Sequence, residues 1–269
     1  MQNEISTEWP IEKEYGVCRL SVVNIYQEPS PTSGLLSQLL FGETYKVIGK
    51  SSCCKWVKIS VTKESVEGWL VLLQHQEITM EEFFDFNDPD FQITTSPIST
   101  IVFKGAVIYL LAGSHLHVSR NELFDIGESI RFVGQCRSNA VKATRDEIVN
   151  IAYSFLNVPY QSGGKNFFGI GVGAFIHLVF KIGGYHSPQF LSQILERGEK
   201  VSADQARKGD LLIFVNEKQI PDHVGIYLGY GEMIHVNGKV TRNHVNFANS
   251  RNEKNISTFW HVHEIRNIM

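Results

Sequence analysis

Residues 223–236 read His-Val-Gly-Ile-Tyr-Leu-Gly-Tyr-Gly-Glu-Met-Ile-His-Val. Apolar positions alternate on both sides of Gly229-Tyr230-Gly231, a pattern typical of two antiparallel strands joined by a tight turn. His223 and His235 fall one on each predicted strand. If the turn has an odd number of residues, they can face each other on adjacent antiparallel strands, where directly opposed side chains have Cβ atoms about 4.5–5.5 Å apart. A two-residue turn would put them out of register and separate the pair.

Upstream of these strands the apolar spacing becomes helical. Thr144 and Glu147 form a capping-box pattern, and helically spaced apolar residues follow at Ile148, Ile151, Ala152, Phe155 and Leu156. A loop over 157–171 leads to a second apolar helix over 172–182, which Gly183-Gly184 would end. Strands are predicted at 210–215, 223–228, 232–236 and 258–265. Helices before an antiparallel sheet predict an α+β domain over 140–269.

The first half of the chain is predicted to be all-β. Short alternating runs at 17–23, 45–48, 56–59 and 68–73 are separated by turn-rich segments. Residues 24–29, with the later Gly68-Trp69-Leu70, resemble the bacterial SH3-like domain, although Tyr26 stands where that family commonly has arginine. Residues 81–90 read as a connector or short helix, and runs at 101–103, 107–114 and 129–133 indicate a second SH3-like barrel. The predicted divisions are an extension at 1–14, SH3-like domains at 15–78 and 79–139, and the α+β domain.

The second half resembles the NlpC family of papain-like cell-wall cysteine peptidases. The landmarks stand in the family's order: Pro159-Tyr160-Gln161-Ser162-Gly163-Gly164, Lys208-Gly209-Asp210-Leu211, residues 223–229 and Ile234-His235-Val236. The resemblance implies a papain-like fold, in which a cysteine at the start of a helix faces a sheet that carries a histidine. The helix N-terminus and an imidazolium lower the thiol pKa, and a third group orients the imidazole. It implies His223 as base, His235 as its orienter and Tyr160 beside the oxyanion.

The nucleophile of that family is missing here. The family reads Gly-x-Asp-Cys-Ser-Gly before the helix, and this chain has Gly171-Val172-Gly173-Ala174 in the last four places. Val172 therefore takes the place of the cysteine, and no Ser, Thr or Cys lies within two residues of it. Because valine has no ionisable or nucleophilic group, covalent catalysis at this position is excluded.

The positions that would read the substrate also differ from the family. Relatives with SH3-like domains have Pro-Arg-Asp where this chain has Pro188-Gln189-Phe190, and the tryptophan of the loop is Ser162. The resemblance implies that Gln189, Phe190 and Ser162 line the substrate site. It also matches Glu28 to the SH3-domain acid that meets the free amine of the peptide.

These observations favour a catalytically inactive homologue of a murein-peptide peptidase of the γ-D-glutamyl-L-diamino-acid endopeptidase (dipeptidyl-peptidase VI) type. It would bind a cell-wall-derived peptide or a protein partner in the former active-site cleft. One alternative is an active hydrolase of peptidoglycan peptides that uses a metal-bound water or a non-standard nucleophile, for which Ser162 and Cys136 are the candidates. The other is a structural or assembly protein whose cleft is closed by side chains such as Phe190.

Composition excludes several other classes of function. The formal net charge is −3 and the basic residues are scattered, which argues against a nucleic-acid partner. No apolar stretch reaches the roughly 20 residues that span a bilayer. Residues 1–14 lack the features of a signal peptide, which predicts a cytoplasmic protein, or an exported one if a leader precedes Met1. The oligomeric state is left open.

No cofactor or metal site is expected. His115 with His117, and His261 with His263, stand two residues apart on predicted strands, but neither pair has a third ligand with suitable spacing, so ordinary surface histidines are favoured. The four cysteines show no zinc-type spacing and are predicted to be buried or half-buried free thiols: Cys18, Cys53, Cys54 and Cys136.

Overall fold

The protein is described by a computed structural model that covers residues 15–61, 64–88, 91–103, 105–116, 132–247 and 260–269. It divides into two compact units. The first contains the chain up to Val141 together with Ser162–Phe167, and the second contains Lys142–Gln161 and Phe168–Met269. The predicted extension at 1–14 and His117 lie outside the described residues.

The first unit is built on a seven-stranded antiparallel sheet. Its strands in chain order are β1 (Tyr15–Val17), β2 (Val22–Tyr26), β3 (Leu35–Leu40), β4 (Thr44–Lys50), β5 (Trp56–Val61), β6 (Val66–Val71) and β7 (Glu77–Ile78). They lie in the spatial order β3-β2-β6-β5-β4-β1-β7. The predicted alternation is confirmed on β2, where Val23 and Ile25 are buried and their neighbours are only partly so. The pattern did not predict β3, because this strand buries Ser37 and Gln38 as well as leucines.

Short elements complete the first unit. Helix α1 (Met80–Phe86) begins with a capping box between Thr79 and Glu82, in agreement with the predicted short helix. Small strands follow: β8 (Gln92–Thr94), β9 (Ile98–Phe103), β10 (Ala106–Leu111), β11 (Phe132–Val133), β12 (Cys136–Ser138) and β13 (Lys165–Asn166). Antiparallel pairing joins β10, β9 and β11 in one sheet and β12 to β8 in another.

The second unit combines helices with a seven-stranded sheet. Its helices are α2 (Arg145–Ser154), α3 (Val172–Ile182) and α4 (Leu191–Leu195). Its strands are β14 (Gly169–Ile170), β15 (Glu199–Lys200), β16 (Leu211–Val215), β17 (Pro221–Gly229), β18 (Glu232–Asn237), β19 (Lys239–Asn246), β20 (Trp260–His261) and β21 (Glu264–Asn267). The sheet runs β15-β21-β16-β17-β18-β19-β20, and the pairing is antiparallel except between β19 and β20.

Both predicted helices of the second unit are confirmed. Thr144 caps α2 and forms the expected capping box with Glu147. Helix α3 begins at Val172 and ends against Gly183; almost all its side chains are buried, and it packs on β17 and β18. A helix that is apolar all round needs cover on every side, so α3 forms the centre of this unit. In the described part of the chain, no helix has the length and apolar character needed to cross a bilayer.

Some expectations about burial are wrong. Only Cys18 is a buried thiol, whereas Cys53, Cys54 and Cys136 are free but exposed, because they lie at a turn and on the short strand β12. His115 is not a surface residue: it is 9% exposed and stacks on Phe91 with ring centroids 4.2 Å apart. The single strand predicted over 258–265 is observed as β20 and β21, and 258–259 lie outside the described residues.

Candidate active site

Val172, which the resemblance to the NlpC family matches to the nucleophile, is the first residue of α3. Gly171 is the N-cap, and it offers no side chain to bond the free N–H groups of the first turn, which also contains no acidic residue. Val172 is half-buried at this position. The helix terminus therefore keeps the positive end of its dipole, but Val172 carries no group whose pKa that dipole could lower.

His223 and His235 form a direct hydrogen bond across β17 and β18. Nε2 of His223 lies 2.7 Å from Nδ1 of His235, and the two rings are perpendicular. The directly opposed arrangement expected from the sequence is wrong, because the strand partner of His235 is Gly225. The two histidines are diagonal neighbours, a separation that side chains of this length can bridge.

A β-bulge makes this pairing possible. Only Tyr230 and Gly231 separate Gly229 from its partner Glu232, so the turn has the two residues that were expected to separate the histidines. The register shifts between Tyr227 and Gly229, which leaves Leu228 as an extra residue on β17. One extra residue on β17 moves each side chain before the bulge to the opposite face of the sheet. His223 therefore lies on the same face as His235.

A third polar side chain, Asn243, extends the pair. Its Oδ1 lies 2.8 Å from Nε2 of His235. Asn243 lies on β19, opposite Met233, and is thus diagonal to His235 in the same way. No strand is predicted over β19, so Asn243 is not among the candidates from the sequence. The Asn237-Gly238 turn dipeptide, followed by the β-branched Val240 and Thr241, was the signal that could have found it.

Both imidazoles are neutral at pH 7. Burial, followed by the repulsion that a second proton would meet from His235, lowers the pKa of His223 to about 4. Burial also lowers the pKa of His235, although the hydrogen bond to Asn243 opposes this shift. Each ring therefore has one proton and one lone pair, so it can both donate and accept a hydrogen bond.

The segment after α3 packs tightly against the first turn of that helix. A Cβ atom at Gly173 would lie 1.9 Å from the carbonyl oxygen of Gln189, so a larger residue cannot fit there without movement. Further along the helix, Nδ1 of His177 lies 2.5 Å from the carbonyl oxygen of Ser187. Gln189 is only 5% exposed and Phe190 is half-buried. Little of the Gln189 side chain is thus available to a ligand in this conformation.

The loop before α3 is held by backbone hydrogen bonds. The N–H of Tyr160 donates to Gly238 O at 2.9 Å, and the N–H of Ile170 donates to Pro159 O at 3.0 Å. The Tyr160 side chain is 50% exposed. The loop backbone is therefore fixed, while the phenol predicted beside the oxyanion remains accessible to solvent.

Three other candidate residues belong to the first unit: Glu28, Ser162 and Cys136. All three are exposed. The backbone N–H of Glu28 bonds Ser33 Oγ at 2.9 Å, and Cys136 lies on β12. Their predicted roles in binding or catalysis stay predictions.

A buried ion cluster holds Lys165 in the first unit. Its Nζ lies 2.9 Å from a carboxylate oxygen of Glu43 and 2.7 Å from one of Glu64, with the lysine side chain 0% exposed. Burial lowers the pKa of Lys165, but the two carboxylates raise it by more, so it lies above the ordinary lysine value. Gln38 Oε1 accepts hydrogen bonds from the Lys165 N–H and from Asn166 Nδ2. No functional role is predicted for these residues from the sequence.

The described part of the chain contains no group of three or more His, Cys, Asp or Glu residues arranged to hold a metal ion. His263 is exposed, and the side chain of His261 lies outside what the structure describes.

Comparisons with known proteins identify the second unit. A model of the NlpC/P60 family matches residues 157–264. The γ-D-glutamyl-L-lysine dipeptidyl-peptidase of Bacillus subtilis is 29% identical over 216 residues, which cover 74% of this chain and 71% of that protein. Dipeptidyl-peptidase 6 of Lysinibacillus sphaericus is 24% identical over 262 residues, covering 87% of this chain and 90% of that protein.

Solved structures confirm the predicted papain-like fold. A crystal structure of an NlpC/P60 family protein from Bacillus cereus superimposes with a TM-score of 0.75 at 18% identity, and covers 94% of this chain and 99% of that one. An NlpC/P60 endopeptidase from Photobacterium damselae gives a TM-score of 0.69 at 13% identity, covering 88% and 68%. Residues 157–264 are therefore an NlpC/P60 family domain, and the chain is a homologue of γ-D-glutamyl-L-lysine dipeptidyl-peptidases.

Proposed function

We propose that this protein is a catalytically inactive member of the peptidoglycan-hydrolase family, and that it binds a cell-wall-derived peptide at the place of the family's active site. The observation that carries the proposal is Val172 at the first position of α3. A thiolate at this position would have been favoured by the helix dipole, whereas the valine side chain supplies no attacking atom. A protein partner at the same site would satisfy the same observation.

The retained polar groups support binding at this site. His223, His235 and Asn243 remain hydrogen-bonded to one another, and Tyr160 is exposed. The curated relatives are named as peptidases that act on γ-D-glutamyl-L-lysine. A peptide with that linkage is therefore the first ligand to test.

The test is titration of the chain with L-Ala-γ-D-Glu-L-Lys, followed by calorimetry and by NMR, with mass spectrometry of the peptide after long incubation. We expect saturable binding, an intact peptide, and at least a tenfold loss of affinity in His223→Ala. His244→Ala is the matched control, since His244 is 70% exposed on β19 and its loss should leave affinity unchanged. Cleavage that His223→Ala abolishes would contradict inactivity, and absence of binding would contradict the ligand.

A second experiment tests whether Val172 occupies the place of the nucleophile. Gly171→Asp with Val172→Cys restores the acid and the thiol but keeps Gly173, because a serine there would collide with the Gln189 carbonyl. We expect the introduced thiol to react with iodoacetamide faster at pH 7 than the exposed Cys136 does, since the helix terminus favours its thiolate. Equal or slower reaction would contradict the assignment.

A structural role is the second candidate function, and a specific observation favours it. The Gln189 carbonyl lies close to Gly173, and the Gln189 side chain is buried. The chain itself therefore fills part of the space beside the first turn of α3. Failure of every tested peptide to bind, together with an intact fold, would favour this candidate. Hydrolysis by a non-standard nucleophile is the remaining alternative. It predicts cleavage that Ser162→Ala or Cys136→Ala removes.

The N-terminal sheet is proposed to be the SH3-like domain that the sequence indicates. Tyr26 on β2 pairs with Trp69 on β6, which brings together the two segments that carry that resemblance. A second SH3-like domain over 79–139 is a proposal on the sequence pattern alone. The cytoplasmic placement also stays a prediction, which fractionation of the native host would check.

A further inference from the structure

We infer that Asn243 is a positioning residue that fixes the proton pattern of the histidine pair, with both rings protonated at Nε2 and Nδ1 of His223 left as the proton-accepting nitrogen. The inference goes beyond the proposed function, because it concerns the base rather than the ligand. It holds whether or not a peptide binds at this site.

The two imidazole rings are in direct hydrogen-bond contact. Nε2 of His223 and Nδ1 of His235 are 2.7 Å apart, a distance at which one nitrogen must hold a proton and the other must accept it. Either direction satisfies this contact by itself. The direction is therefore set by what His235 does with its other nitrogen.

The hydrogen bond between Asn243 and His235 determines which of the two rings donates to the other. The Oδ1 atom of Asn243, 2.8 Å from Nε2 of His235, is an amide oxygen and can only accept, so Nε2 must carry a proton. A neutral imidazole has one ring proton, which leaves Nδ1 of His235 as an acceptor. His223 must then donate from Nε2, and its own lone pair falls on Nδ1.

The environment of His235 keeps this ring neutral, with a single proton. The side chain is 0% exposed, and burial lowers its pKa. An imidazolium would donate from both nitrogens, force His223 to accept at Nε2, and move the proton of His223 to Nδ1. Such a buried cation is disfavoured, because burial penalises the charged ring, and His223 and Asn243, which contact its two nitrogens, are both uncharged.

His223 therefore keeps the tautomer that a general base needs, with its lone pair on Nδ1, although the chain lacks the nucleophile. A base takes a proton at its lone pair, and a hydrogen-bonded partner on the opposite nitrogen holds the ring in that tautomer. Asn243 acts on His223 only through His235. It does so from a third neighbouring strand, two diagonal steps across the sheet.

Nitrogen-15 NMR of the imidazole rings at pH 7, in the ligand-free chain, tests the inference. We expect His223 and His235 each to show a protonated Nε2 and an unprotonated Nδ1. Asn243→Asp, which keeps an acceptor, should retain the proton on Nε2 of His235. Asn243→Leu, which has similar size and no acceptor, should abolish the single tautomer in both rings. Asn237→Leu, at the exposed end of β18, is the control and should leave both rings unchanged.

Two results would overturn the inference. One is a proton on Nδ1 of His223 in the unmodified chain, a measurement that does not depend on whether any variant folds. The other is a folded Asn243→Leu variant whose two rings keep the original pattern. Neither result bears on Val172 or on peptide binding, so this inference and the proposed function can fail separately.

Discussion

At the scale of single residues, the histidine pair couples the candidate site to the stability of the fold. The pKa of His223 is lowered to about 4, whereas an exposed histidine in the unfolded chain titrates near 6.5. Between these values the unfolded chain binds more protons than the folded one, so stability rises with pH across this window and is lost as the pH falls. The fold thus favours the neutral ring, and acidification through this window destabilises the folded chain.

We predict that the unmodified chain loses about 2–3 kcal/mol of unfolding free energy between pH 7 and pH 4 through His223 alone. Urea unfolding at several pH values should show a smaller loss in His223→Gln, where no proton can bind. His244→Gln, which changes an exposed histidine, should keep the slope of the unmodified chain. Equal slopes in all three proteins would show that His223 titrates normally.

At the scale of secondary-structure elements, the start of α3 depends on a glycine that touches another segment. Gly173→Ser would place Cβ at 1.9 Å from the Gln189 carbonyl, so the segment after the helix must move. We predict destabilisation of about 1–3 kcal/mol, the usual cost of overpacking. Thermal or urea unfolding measures this loss.

The neighbouring glycine supplies the matched control. Gly171 is the N-cap of α3 with φ −83°, a position where serine is favoured because its oxygen accepts from the first turn. Gly171→Ser should therefore leave stability unchanged or raise it by a few tenths of a kcal/mol. If Gly173→Ser were as stable as Gly171→Ser, the close approach of Gln189 would not exist in solution.

At the scale of the whole molecule, the first unit includes a short segment from near the start of the residues that match the NlpC/P60 family. Residues 162–167 fold with this unit, and Lys165 forms ion pairs with both Glu43 and Glu64 inside it. We predict that Lys165→Met lowers the unfolding free energy by about 3–5 kcal/mol, because two buried carboxylates lose their cation. Lys208→Met breaks the exposed pair with Asp146 and should cost far less, because solvent screens exposed charges. Similar losses in the two variants would contradict the importance of burial.

The sequence by itself determined the local and family-level features of this protein. The capping box at Thr144 and the start of α3 at Val172 follow from side-chain chemistry and spacing within short segments. The papain-like fold follows from the resemblance to the NlpC family. The valine at position 172 is likewise read directly from the chain, and the proposal of a lost nucleophile depends on the identity of this one residue.

Tertiary structure alone decided how the site is assembled. The bulge at Leu228 set the register that joins His223 to His235, and strand pairing brought in Asn243. The burial of Lys165 and the contact of Gln189 with Gly173 depend on segments distant in sequence. Local patterns do not predict such features, because register and burial are properties of the partner strand or segment as much as of the residue itself.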